Sequence, residues 1–284
     1  MSDTMASVST EIGSDVAMEK ELAWLLQHSI PDSIGHIKRH LSQIPLLAVP
    51  PASKASAIKN GLQVQLHEKK TGDVCGTGVV AGAMVTQLSL SVAALGQLSQ
   101  GRPAEFHLKK NETIALRQMQ DAQSYAYSAM QKTQNMSGVD TREEALQFIM
   151  DLRKDIQGAR QIFISGKHRY LMPLQAGYSE KFVPALPENI VVEPSIEGCE
   201  FNVCICLLSF RRSAKSTGGF LDSFKRDHSG GHMLIHNDRL AEVKREVIMR
   251  APLQDASKTL ECLESALGIC NDIVGQLHAF DSMM

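Results

Sequence analysis

The sequence predicts an α+β protein in which a discontinuous, coiled-coil-like antiparallel four-helix bundle stands beside an antiparallel β domain. Three observations predict it. Four separated segments space their apolar residues three and four apart, the period of a helix with one buried seam. The stretches between them alternate apolar and polar residues, the period of a strand with one solvated face. The two kinds interleave, so helices of one period have to find each other across the β segments to bury their stripes. At 284 residues the chain is long enough for one large or two small cores.

The first helix carries Ile30, Ile34, Ile37, Leu41 and Ile44 in 4-3-4-3 steps, preceded by a turn around Leu22, Leu25 and Leu26, and Pro45, Pro50 and Pro51 end it. Pro31 has no N–H to donate and predicts a kink or a restart after Ser29. Leu62, Val64 and Leu66 alternate with Gln63, Gln65 and His67, and Leu88, Leu90 and Val92 with Gln87, Ser89 and Ser91, so both segments read as strands. Gly72, Gly76 and Gly78 around Cys75 and Thr77 read as a turn between them. The second helix steps through Ala115, Met119, Ala122, Ala126 and Ala129, with Asn111 as its cap. A capping box of Thr141 and Glu144 opens the third, through Ala145, Ile149, Leu152, Ile156, Ala159 and Phe163. Phe201, Val203, Ile205 and Leu207 alternate with Asn202, Cys204 and Cys206, and residues 240–249 read as a further strand.

The fourth helix has the strongest pattern. Leu253, Ala256, Leu260, Leu263, Leu267, Cys270, Val274 and Leu277 form an unbroken 3-4 series, with Pro252 suited to the first turn. Thr259, Ala266, Ile273 and Phe280 widen the stripe, so the helix is expected to touch two neighbours inside one chain rather than zip two chains together. Replacing Leu260 or Leu267 by Asp is then expected to unfold the monomer. The predicted bundle core is Ile34, Ile37, Leu41, Met119, Ile149, Leu152, Ile156, Leu253, Leu260, Leu263, Leu267, Val274 and Leu277. The helical part combines residues 15–48, 111–171 and 252–284, and the β part residues 58–110 and 185–250. Phe182, Pro184, Leu186 and Pro187 form a stiff joint between them, residues 1–14 read as disordered, and residues 211–232 as a flexible loop.

Charge and composition exclude several classes. With 29 basic and 31 acidic residues, the net charge of -2 gives no field that draws the molecule to nucleic acid or anionic lipid. No apolar run is long and pure enough to cross a membrane. The six cysteines have no framework spacing, and the Met1 region lacks a basic stretch leading into an apolar core, which predicts a reduced, cytoplasmic protein. A leucine-zipper DNA binder needs a continuous basic helix upstream of residue 253, and Pro252 and the apolar residues before it deny one.

The candidate sites favour bland readings. His228, His232 and His236 fall at i, i+4 and i+8, a zinc-like spacing on a helix, but Gly230 and Gly231 argue for loop histidines. Cys199, Cys204 and Cys206 form a C-x4-C-x-C cluster in which the last two share one face of a strand. That permits joint ligation, and it equally suits small buried thiols. No nucleophile, nucleotide-binding or metalloprotease signature appears, and no catalytic residue, cofactor or metal is assigned.

The segments Glu21–Leu26, Cys75–Thr77, Leu116–Ala122 and Phe182–Pro187, together with the C-terminal heptad helix, resemble the Rogdi family over nearly the whole chain. The resemblance implies a non-catalytic subunit of a RAVE-type complex, cytoplasmic and recruited peripherally to vacuolar and endosomal membranes. Its implied partners are a large β-propeller scaffold subunit and peripheral-sector subunits of the vacuolar proton-pumping ATPase, whose assembly it promotes. It implies no nucleic-acid partner and no direct membrane insertion. Two other readings stand beside it: a self-associating coiled-coil adaptor, and a metal-dependent enzyme built on the cysteine and histidine clusters.

Overall fold

A computed structural model describes residues 16–44, 61–68, 74–93, 103–135, 139–165, 178–210, 233–236 and 239–280. The expected N-terminal tail over 1–14 and the loop over 211–232 lie outside the described residues. Helix α1 runs over 16–42, with a π-helical turn at Leu25–Ser29 and an α-helical segment Ile30–Ser42. Helices α2 (Arg117–Gln134), α3 (Arg142–Ile164) and α4 (Gln254–Ala279) follow. The strands are β1 (Leu62–Glu68), β2 (Val74–Ala81), β3 (Met84–Val92), β4 (Ala104–Leu108), β5 (Ile114–Ala115), β6 (Phe182–Val183), β7 (Ile190–Glu197), β8 (Glu200–Phe210), β9 (Met233–His236) and β10 (Arg239–Pro252). All ten belong to one antiparallel sheet in the order β6-β4-β3-β2-β1-β10-β8-β7, with β5 beside β3 and β9 beside β10.

The α+β class holds, but the four-helix bundle does not. One large sheet organises the fold, and four helices accompany it among the described residues. A heptad spacing reports that a helix buries one seam; it does not report what covers the seam. The chain divides into two compact units, one of Met1–Leu47, Asp121–Ile162 and Ser257–Met284, the other of Ala48–Gln120 and Phe163–Ala256.

In the first unit Ile30, Ile34, Ile37 and Leu41 of α1 and Ile44 just after it are all buried, as are Ala122, Ala126 and Ala129 along α2 and Ala145, Ile149, Leu152, Ile156 and Ala159 along α3. Met119 is buried too, in the first turn of α2, which belongs to the second unit. Pro31 does not break α1. In a regular helix its ring would clash with the carbonyl four residues back. Here the turn before it is π-helical, with the Ile30 N–H bonded to the Leu25 carbonyl, and the wider turn carries the chain through. Helices α2 and α3 are joined by Asp155, which accepts from Ser128 Oγ at 2.6 Å and pairs with Lys132 Nζ at 2.9 Å. Gly158 of α3 lies against the Tyr125 ring, where a Cβ would come within 2.9 Å of the ring carbons. Arg160 reaches Glu264 of α4 at 3.0 Å, an exposed pair of small energetic weight.

The stripe of α4 is rotated by one residue from the expected one. Leu253, Ala256, Leu263, Cys270 and Leu277 are buried as expected, but Thr259, Ala266 and Ile273 complete the buried row, whereas Leu260, Leu267 and Val274 are only half-buried. Small residues at 256, 259 and 266 let a neighbour approach closely, and the bulkier leucines sit at the flank. Asp at Leu260 or Leu267 therefore falls on the margin of the seam rather than inside it.

The second unit holds the sheet. Gly76 and Gly78 lie inside β2, not in a turn. Gly76 is required because a Cβ there would meet the Ser89 carbonyl oxygen at 2.5 Å. The β2–β3 and β7–β8 hairpins turn instead at Gly82 (φ 56°) and Gly198 (φ 60°), the first central residues of two-residue loops that demand positive φ. Ala115 belongs to β5 and α2 begins at Arg117, so Asn111 caps nothing. Phe182, Pro184, Leu186 and Pro187 all fall within this second unit rather than between the two. Phe182 and Leu186 are buried, Pro184 follows a cis peptide bond, and β6 pairs with β4 as an edge strand. At the other edge the Gln118 side chain acts as a substitute strand: its Nε2 donates to the Ile196 carbonyl at 2.7 Å and its Oε1 accepts from the Ile196 N–H at 3.1 Å. The outer ladder of β7 is satisfied locally by that one amide.

Candidate functional site

Strand register sorts the sheet into two faces. Val64, Leu66, Leu88, Leu90, Phe106, Phe201, Val203, Val247 and Met249 line the apolar face, and all are buried. The opposite face carries the chemistry. Across β1 to β4 it presents two cross-strand rows, His67–Cys75–Ser91–Glu105 and Gln65–Thr77–Ser89–His107, which line an open groove of about 320 Å³. Within it His107 Nδ1 faces Ser89 Oγ at 3.0 Å, and His107 Nε2 lies 3.9 Å from Glu105 Oε2. The second distance is too long for a hydrogen bond, and His107 and Glu105 are more than half exposed. The trio thus lacks the buried carboxylate that orients a catalytic imidazole.

The same face continues onto β10 and β8 through His67↔Arg250 and Arg250↔Asn202. There Cys204 and Cys206, two residues apart on β8, bring their sulfurs to 3.6 Å. Glu246 of β10 places Oε1 3.1 Å from Cys204 Sγ, and the three ligand atoms lie within 4.8 Å of one another. Val191, Leu208 and Ala241 bury the pair, with Phe210, Val243 and Ile248 packed at its margin. The thiol of Cys204 is pushed far above its ordinary pKa, first by its hydrogen bond with Cys206 and then by desolvation, so it rests protonated.

A β-bulge is what turns Glu246 toward the sulfurs. Val243 pairs with Leu208 but Arg245 pairs with Leu207, so the register slips by one residue between them and Glu246 lands opposite Cys206. In a regular ladder Glu246 would face Ile205 on the apolar side.

Of the residues the sequence singled out, Cys204 and Cys206 come together and Cys199 does not: it is exposed in the Gly198–Cys199 turn. His228 and His232 lie outside the described residues. His236 is buried beside Phe210, ring centroids 6.2 Å apart, and is not part of a metal-binding group among the described residues. Glu246 carried no signal in the sequence, because its place depends on the bulge. No helix of the described residues is long and apolar enough to cross a membrane.

Large apolar side chains also stand exposed on the helices. Trp24 is 58% exposed, with His28 beside it, and Tyr127 is 65% exposed.

No curated protein matches the chain. A family model described as Rogdi leucine zipper containing protein matches residues 21–227, more than half of the chain. The matched range includes Trp24, the β1–β4 groove, Gln118, β6 and both sulfurs of the cluster, and it ends before β9, β10 and α4.

Proposed function

Because the chain belongs to the Rogdi family, we propose that it is a non-catalytic subunit of a RAVE-type complex that promotes assembly of the vacuolar proton-pumping ATPase and thereby organelle acidification. The observation that carries this reading is the family match over residues 21–227. Recognition by surface rather than chemistry is supported by the incomplete Ser89–His107–Glu105 trio and by exposed aromatic residues of the kind that anchor interfaces, Trp24 and Tyr127 foremost. Its partners on this reading are a large β-propeller scaffold subunit and subunits of the pump's peripheral sector, met in the cytoplasm and at the membrane surface.

The test is affinity capture of the chain from cells that express it, with the partners identified by mass spectrometry and acidification followed in cells that lack it. Capture of the scaffold and pump subunits, with acidification lost on deletion, supports the reading. Capture of neither, with acidification intact, overturns it. Trp24→Ala is expected to weaken capture by about 30-fold, the scale of an interfacial tryptophan worth about 2 kcal/mol, at unchanged thermal stability.

The half-buried row Leu260, Leu267 and Val274, spaced by sevens, favours a second reading, a self-associating adaptor joined through α4. Light scattering that gives a dimer, lost in Leu267→Asp, supports that alternative; a monomer at high concentration rejects it.

A further inference from the structure

The two thiols and the carboxylate on the β8–β10 face have no part in the assembly reading. Their geometry fits a ligand set. A tetrahedral zinc-class ion with bonds of about 2.3 Å to sulfur and about 2.1 Å to oxygen sets its ligand atoms about 3.8 Å (S···S) and about 3.6 Å (S···O) apart. The observed separations of 3.6 Å and 3.1 Å approach these values within about 0.5 Å, and the third pair, Cys206 to Glu246, lies within 4.8 Å, so side-chain rotations bring the set to ligand distance.

Three further features distinguish the cluster from an ordinary pair of core cysteines. A carboxylate is turned onto it by a register slip that costs the ladder its regularity. Asn202, fully buried two residues before Cys204 on the same face, has an amide oxygen with no hydrogen-bond partner among the described residues. Glu193, the cross-strand partner of Cys204 on β7, adds a second carboxylate on the same face. Two sulfurs and one oxygen in an apolar surround are soft enough to select zinc-class ions over calcium or magnesium.

We propose that Cys204, Cys206 and Glu246 hold one zinc-class divalent ion, which ties β8 to β10 across the bulge and leaves its fourth position to water or to a neighbouring oxygen. On binding, two S–H bonds break and two metal–sulfur bonds form. Both protons go to solvent, the ionised Glu246 adds the third bond, and no electron changes hands. The ion's role is structural: it fixes the register by which β10 joins the two halves of the sheet.

The test uses the full chain, stripped with a chelator and titrated with Co²⁺. One equivalent per chain is expected, with thiolate-to-cobalt charge-transfer absorption and tetrahedral ligand-field bands, displaced by one equivalent of Zn²⁺. Both signals should vanish in Cys204→Ser and in Cys206→Ser. They should persist in Cys75→Ser and Cys199→Ser, which remove the exposed thiols. Glu246→Gln, nearly isosteric, keeps the test independent of folding failures and should weaken binding by about tenfold or more, the scale of one lost ligand contact. No uptake at saturating metal, uptake unaffected by the Cys204 and Cys206 variants, undiminished affinity in Glu246→Gln, or uptake abolished by the Cys75 or Cys199 variants would each overturn the proposal.

Discussion

Alanine substitutions in neighbouring positions of α4 separate the buried row from the row that heptad spacing selects. Ile273 is 2% exposed, so Ile273→Ala removes three carbons from full burial. At about 0.8 kcal/mol per buried methylene the transfer loss is about 2.4 kcal/mol, and the cavity left behind raises the cost to about 3–4 kcal/mol. Val274→Ala removes two carbons from a partly buried position, about 1.2 kcal/mol, and alanine's better helix propensity offsets both substitutions alike. A difference of about 2–3 kcal/mol between adjacent residues is therefore expected, and Leu263→Ala should exceed Leu267→Ala for the same reason. The assay is urea unfolding followed by far-ultraviolet circular dichroism, which sees the helices directly. Fluorescence is the poorer probe, since the single tryptophan, Trp24, is already largely exposed. If Val274→Ala or Leu267→Ala proves as costly as its neighbour, the rotated stripe is wrong.

Three other outcomes follow from the structure. Of the six cysteines, Cys75 and Cys199 are exposed and four are buried, with Cys270 pushed up to about 12 by desolvation, so a thiol reagent at neutral pH should titrate two rapidly and the remainder only on unfolding; four or more fast thiols in the folded protein would contradict that burial. Gln118→Leu removes both bonds to Ile196 and leaves its polar groups without their side-chain partner, a loss of about 2–3 kcal/mol by chemical denaturation, with increased aggregation through the opened edge of β7 as a second readout. Glu144 accepts from the backbone N–H groups of Asp140 and Thr141 and then from the Thr141 hydroxyl, which holds its pKa below the ordinary value. A folded pKa depressed in this way stabilises above the unfolded value and is lost as pH falls through the folded one. The stability advantage of the native protein over Glu144→Gln should thus be present at neutral pH and disappear in acid, and a constant difference across that range would exclude the capping role.

Period was legible in this sequence, and pairing was not. The alternation around Val64 and Phe201 marks β1 and β8, and the 3-4 steps around Ile37 and Leu152 mark α1 and α3, because local burial repeats with the local geometry. Hydrophobicity misplaced the seam of α4, since it ranks Leu267 above Ala266 although close approach favours the smaller residue. Prolines at 184 and 187 suggested a joint where the chain forms an edge strand. The two cysteines could be placed on one face from their spacing alone. Glu246 could not, because its side of the sheet is decided by a single extra residue in β10, and the thiol it meets, that of Cys204, lies 42 positions away in the chain.

The π-helical turn in α1 has a consequence for the surface that precedes it. A π turn is equivalent to one residue inserted into an α-helix, and one residue corresponds to a rotation of about 100°. Everything on its N-terminal side, Trp24 included, is swung by that angle relative to the buried isoleucines that follow. Deleting one residue between Leu25 and Ser29 would aim the indole in another direction, but it would also remove the wider turn that accommodates Pro31 and bring its ring against the carbonyl four residues back. The direction in which the helix offers its tryptophan is thus tied to the same turn that seats Pro31 and buries Leu25, so the exposed indole and the core share one backbone feature.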